Sequence, residues 1–107
     1  MASYLMLGNF TDQGIRNVEE TIKRGERFKE MAKEGGVEAK ELMWLMGDHD
    51  VFCIAEAEND HAITTLLLKA GSKGFIKTST YRAFNKDEMG AIVQKMQWGN
   101  PSVIRSW

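Results

Sequence analysis

The 107-residue chain has one cysteine, one proline, almost no net charge and no long apolar run. Each shortage excludes a class of protein. A lone Cys53 cannot close an intramolecular disulfide, so a cystine-stapled secreted scaffold is excluded and a reducing compartment is expected. No stretch approaches the roughly 18 consecutive apolar residues that a membrane span needs. The opening segment has no basic n-region, since the first positive charge is Arg16, and its apolar run is too short for a signal peptide. Fourteen Lys and Arg against 15 Asp and Glu leave a formal charge of −1, which gives no footprint for nucleic acid or anionic lipid. The expectation is a soluble cytoplasmic protein whose partners include neither nucleic acid nor membrane.

What is present is the composition of an ordinary globular domain, 43% hydrophobic and 27% charged. The length suits one compact unit, read as a domain over residues 1–98 and a tail over 99–107 that holds the only proline, Pro101. Hydrophobic periodicity switches several times between two and about 3.6. Ser3 to Phe10 reads as a strand. Asp12 to Lys33 reads as a helix capped by Thr11 or Asp12, with Ile15, Val18, Ile22, Phe28 and Met31 or Ala32 on its apolar side. Gly25 lies beside that stripe and would let the helix approach a sheet closely. Gly35-Gly36 ends it. Val37 to Gly47 and Asp50 to Glu58 read as an antiparallel hairpin. Asn59 or Asp60 caps a second helix with Ile63, Leu66, Leu67 and Ala70, closed by Gly71 to Gly74. Phe75 to Phe84 reads as a fourth strand, and Asn85-Lys86-Asp87-Glu88 as a capping box before a short helix with Ile92, Val93 and Met96 on its apolar side.

The order β-α-β-β-α-β, with a C-terminal helix and tail, specifies an α+β, ferredoxin-like fold: a four-stranded antiparallel sheet with its helices on one face. Along the third strand, Val51, Cys53, Ala55 and Ala57 alternate with Phe52, Ile54, Glu56 and Glu58. The small set suits close helix packing, which points Phe52, Ile54 and Glu56 away from the helices. An apolar sheet face is rarely left in water, so a second copy is expected to cover it, giving a homodimer or higher homo-oligomer.

Tyr4 to Gly14, followed by Ile15-Arg16-Asn17 and Arg24, resembles the opening of GYD-domain proteins. So do Trp44 to Val51, aligned with that family's Gly-x-Tyr-Asp turn, and Glu56-Ala57 and Arg82-Ala83-Phe84 further on. One departure stands out: the family's tyrosine is His49 here. The resemblance implies a ferredoxin-like domain similar to the dimeric α/β barrels, in which two sheets face one another, and it brings no characterised reaction.

Candidate site residues follow from the expected open face. Trp44, Phe52, Glu56, Thr78, Thr80 and Arg82 are expected to line a cavity between facing sheets that takes a small, partly apolar ligand. Glu56 would need a partner there, and Arg82 is the candidate. His49, flanked by Asp48 and Asp50, and Glu56 are the candidate proton-transfer groups of a cofactor-independent enzyme, an isomerase, decarboxylase or monooxygenase. For the Asp-His-Asp segment, local turn chemistry is the competing explanation. Neither metal nor cofactor is expected: His49, His61, Cys53 and Asp50 lack ligand spacing, and Gly71-Ser72-Lys73-Gly74 lacks the Walker pattern. The first helix interleaves Arg16, Lys23, Arg24, Arg27, Lys29 and Lys33 with Glu19, Glu20, Glu26, Glu30 and Glu34, which reads as a solvated, mutually paired surface. The function expected is that of a homo-oligomeric small-molecule-binding or accessory protein.

Overall fold

The computed structural model describes residues 1–96; the expected tail over 99–107, with Trp107, and Trp98 just before it lie outside the described residues. The elements run β1 (Ala2–Phe10), α1 (Asp12–Arg16), a 3-10 turn (Val18–Glu20), α2 (Thr21–Glu34), β2 (Glu38–Trp44), β3 (Val51–Ala57), α3 (Asp60–Ser72), β4 (Ile76–Ala83) and α4 (Lys86–Lys95). The strands form one antiparallel sheet in the order β2-β3-β1-β4, the ferredoxin-like arrangement. The β2-β3 hairpin forms as its turn residues imply, with strand pairing ending at Trp44 and Val51.

Alternation decides the two faces. Tyr4, Met6 and Gly8 of β1 and Cys53, Ala55 and Ala57 of β3 are buried, and around them pack Ala32, Val37, Ile63 and Leu66 to form the core. Small side chains at the centre of β3 let helices sit close to the sheet. Gly25 on α2 serves the same end: a Cβ there would come within 3.1 Å of Leu42 and 3.5 Å of the Trp44 ring.

The first helix is not continuous. Asn17 breaks it, because its side-chain amide donates back to the Gln13 carbonyl at 2.8 Å while its own carbonyl is taken by Arg24 Nη2 at 2.7 Å. The break resets the helical phase. Ile15, Val18 and Ile22, expected on the core side, are therefore exposed, and the inward stripe of α2 is Arg24, Gly25, Phe28 and Met31, all half-buried, with Ala32 fully buried.

Local termination follows the expected chemistry. Thr11 and Asn59 cap α1 and α3, and the Asn85–Glu88 capping box is complete. Gly36 and Gly74 take positive φ, 77° and 84°, where the chain leaves α2 and α3. The apolar side of α4 is a correction of a different kind: Met89, Ile92, Val93 and Met96 are in helical phase, yet all are exposed. Arg82 Nη2 donates to Glu88 at 2.7 Å and fixes where α4 starts, while nothing among the described residues covers its apolar side. The Glu88 carboxyl is held below its usual range by Arg82 and by the Asn85 backbone N–H.

At the same end of the sheet the Tyr4 hydroxyl donates to Asp60 at 2.5 Å, tying the first strand to the start of α3. The Asp60 carboxylate, followed by burial, raises the Tyr4 phenol above its ordinary value. The unfolded chain then loses the phenolic proton first as pH rises. Stability contributed by this group is full below about pH 10 and falls above it, and chemical denaturation across pH 9 to 11 is expected to show that slope in the wild type and not in Tyr4→Phe.

Two glycines separate packing from propensity. A Cβ on Gly14 would lie 2.0 Å from the Phe75 carbonyl oxygen, whereas one on Gly71, inside α3, meets open space. Gly14→Ala should destabilise by about 2 kcal/mol or more, and Gly71→Ala should stabilise by about 0.5–1 kcal/mol in urea unfolding.

Candidate functional site

Two places on the domain can bind something, one on each side of the sheet. The open side follows from strand register, since residues directly opposite in antiparallel strands share a face. One row is Met43, Phe52, Leu7 and Ser79; the next is Glu41, Ile54, Leu5 and Tyr81; the third is Glu38, Glu56, Ser3 and Ala83. Leu5, Leu7, Phe52 and Ile54 are half-buried by their neighbours alone, while Met43 and Tyr81 are more than half exposed. The result is an apolar band across all four strands, uncovered among the described residues. Its β2 corner is acidic, with Glu38 directly opposite Glu56, a pairing that like charges disfavour. A bulge between Ala39 and Glu41 brings Lys40 Nζ within 3.3 Å of Glu56 and relieves it.

On the other side, α2, α3 and the sheet leave a cavity of about 150 Å3 that opens to solvent. Its walls are apolar, among them Met6, Phe28, Met31, Leu67, Phe75 and Ile76. Three charged residues contribute to the lining, Arg24, Arg27 and Lys73, and all are cationic. Arg24 is the most built in. Its side chain is 16% exposed, its guanidinium carbon sits 4.4 Å from the centre of the Phe75 ring, and Nη2 donates to Asn17. Nη1 is buried without a hydrogen bond, its nearest carboxylate being Glu20 at 3.9 Å.

The expected six-residue ligand set is divided between these sides. Phe52 and Glu56 lie on the open face as the alternation implies. Thr78, Thr80 and Arg82 do not join them: their cross-strand partners are Gly8, Met6 and Tyr4, so they face the helices. Trp44 also faces the helices, paired with Val51, and its indole N–H donates to the Thr21 hydroxyl at 3.0 Å. The reason is register, because shifting a strand by one residue exchanges its faces. The expected Glu56–Arg82 pair is excluded for the same reason; Glu56 meets Lys40, and Arg82 meets Glu88 and the ring of Phe84. Of the six, Trp44 and Thr78 line the helix-side cavity.

His49 sits in the turn before β3. Its Nδ1 is 2.9 Å from Asn9 Oδ1, Asn9 Nδ2 donates to the Asp48 carbonyl, and the Asp50 carboxylate accepts the Phe10 N–H at 2.8 Å. These bonds pin the turn to the end of β1, which is the structural use of an Asp-His-Asp segment. The five strand steps from Val51 to Glu56 alone, at about 3.3 Å each, span roughly 16 Å, which argues against His49 and Glu56 acting on one small substrate within a protomer.

Arg24 was missed by the sequence reading, which grouped it with solvated helix charges. The signal was its position: Arg24, Phe28 and Met31 are spaced i, i+4, i+7, which puts an arginine on the buried stripe.

Fold and geometry together define a small ferredoxin-like α+β domain with an apolar sheet face that no described residue covers and a cationic, apolar-walled cavity. The chain belongs to the GYD domain family, whose model matches residues 4–93. A Thermus thermophilus protein, the glutamine synthetase and cystathionine beta-lyase binding protein, is 30% identical over 87 residues, covering 78% of this chain and 88% of that one. Among solved structures, MtbAldR superposes with a TM-score of 0.62 at 8% identity over 79% of this chain, and a feast or famine regulatory protein from M. tuberculosis complexed with L-methionine with 0.61 at 13% over 80%. The chain spans about half the length of both, 54% and 52%, and at these identities the likeness is one of fold. No helix among the described residues is long and apolar enough to cross a membrane.

Cys53 lines the cavity from the sheet side, and burial pushes its thiol up to about 11. At pH 8 the native protein should react with a disulfide reagent about 100-fold more slowly than an ordinary thiol, and at the normal rate in denaturant, as spectrophotometry of the released thiolate would record.

Proposed function

We propose that this protein is an accessory binding protein that works as a homo-oligomer, two copies pairing through their open sheet faces and the assembly docking on a metabolic enzyme. The observation that carries the reading is the uncovered band of Leu5, Leu7, Phe52 and Ile54, flanked by Met43 and Tyr81. These central side chains are half-buried already, so removing the remainder from water contributes about 1 kcal/mol each. Four from each copy approach the association cost, of order 4–15 kcal/mol, with Met43 and Tyr81 adding further area. That supports a reversible dimer more than an obligate one.

Docking on an enzyme is the reading favoured by the Thermus thermophilus relative, whose name records binding to two enzymes of amino-acid metabolism. The exposed apolar side of α4, with Met89, Ile92, Val93 and Met96, is a second surface of the kind that amphipathic helices offer to a groove. Sheet pairing and helix docking use different residues, so they can be separated by mutation.

Ile54→Glu places a charge at the centre of the band without touching the core and is expected to shift the mass in light scattering from dimer to monomer with the circular dichroism unchanged. Ile92→Glu on α4 is expected to keep the dimer and abolish binding to the organism's own glutamine synthetase in interferometry. A wild-type chain that is monomeric at all concentrations removes the sheet-pairing half of the reading.

A further inference from the structure

The helix-side cavity has a chemistry that the accessory role does not use. It measures about 150 Å3, well below the roughly 300–1,000 Å3 of sites that hold cofactor-sized molecules. An enclosed apolar cavity of about 150 Å3 is known to admit benzene, and this one has that volume with an opening to solvent. The apolar part of an occupant is therefore one ring or one branched alkyl group.

The polar side is equally restrictive. Arg24, Arg27 and Lys73 are the charged lining residues, in a chain whose formal charge is −1, and no carboxylate is among the lining residues. A buried guanidinium nitrogen without a hydrogen bond is costly, and a carboxylate is the partner that matches a guanidinium in charge and planar geometry. Arg24 lines the cavity with its guanidinium held by the Phe75 ring and the Asn17 carbonyl; Nη1 makes no hydrogen bond, so a carboxylate reaching it from the chamber has to turn the guanidinium outward. Glu20, at 3.9 Å, forms an ion pair with Nη1 but no hydrogen bond, and its side chain is largely exposed, so an incoming carboxylate competes with a loosely held partner.

We propose that the cavity between α2, α3 and the sheet binds a small organic carboxylate without an α-ammonium group, its ring or branched alkyl part inside and its carboxylate on Arg24. No acidic residue is among the described lining residues, so the ammonium of a zwitterionic amino acid of the same size would meet a cationic lining, with only the Glu20 carboxylate beside Arg24 to offset it; such ligands are disfavoured. The inference is independent of sheet pairing, which uses the opposite face.

The test is a calorimetric and NMR titration of the full chain at pH 7 with 4-methylpentanoate and with benzoate, against L-leucine and benzamide. L-Leucine differs from 4-methylpentanoate only by its ammonium group. The carboxylates are expected to bind saturably, one per chain, with shifts at Phe28, Leu67 and Phe75, and the two controls at least about tenfold more weakly. Arg24→Gln should weaken carboxylate binding by about tenfold or more, and Arg24→Lys, which keeps the charge but not the paired donors, should fall between, with circular dichroism and thermal melting checking that each variant is folded. Ala70→Phe, which fills the chamber, should abolish binding while leaving the oligomer mass unchanged. The proposal is overturned if neither carboxylate saturates, if L-leucine binds as well as 4-methylpentanoate, if Ala70→Phe binds like wild type, or if the shifts fall on Leu5 and Ile54 of the open face.

Discussion

A four-stranded sheet has two faces, and the described residues supply helices for one. Everything else depends on how that constraint is met. On the covered side, Cys53, Ala55 and Ala57 present almost no side-chain bulk, so α2 and α3 come down close and Tyr4, Met6, Ile63 and Leu66 fill the core. Packing is incomplete towards the Phe10 end of β1, where Gly8, Gly25 and the Trp44 ring leave a chamber that Arg24 closes from one side. On the uncovered side, the alternate residues of the same strands form the apolar band. One alternation thus produces both the core and the apolar face opposite it.

The two ends of the sheet are handled differently. At the Ala2 end of β1, Tyr4 reaches Asp60 and Arg82 reaches Glu88, polar contacts that fix the starts of α3 and α4. At the Phe10 end, Asn9 and Phe10 hold the His49 turn through Asp48 and Asp50, and Thr11 donates to the Gly74 carbonyl at 2.6 Å. Polar residues that look chemically active in isolation are occupied in holding loops there. The cavity differs because Arg24 has one guanidinium nitrogen without a hydrogen bond, faced only by Glu20 at 3.9 Å.

The fold was legible because its signals are local. Alternation along β3, the caps at Thr11, Asn59 and Asn85, and the glycines after the helices each specify a neighbourhood of a few residues, and they agree with one another. The site was less legible because it depends on register. Thr78, Thr80 and Arg82 do share a face, but which face is decided by β4 pairing Thr80 with Met6, a fact that no pattern within β4 contains. The break at Asn17 was hidden for a similar reason: it depends on Arg24 reaching back seven residues to a carbonyl. The same contact removes Arg24 from the solvated set and places it at the cavity. In α4 the periodicity marks an apolar side, but periodicity reports only that such a side exists and not whether anything covers it; no described residue does.

The central claim is that a second copy covers the band of Leu5, Leu7, Phe52 and Ile54. Isotope-filtered NOE spectroscopy on a mixture of labelled and unlabelled chains reads this contact directly. Intermolecular NOEs from the Ile54 and Leu5 methyl groups to Phe52 and Leu7 are the predicted result, whereas a dimer whose intermolecular NOEs are confined to α4, or a chain with none at millimolar concentration, would contradict it.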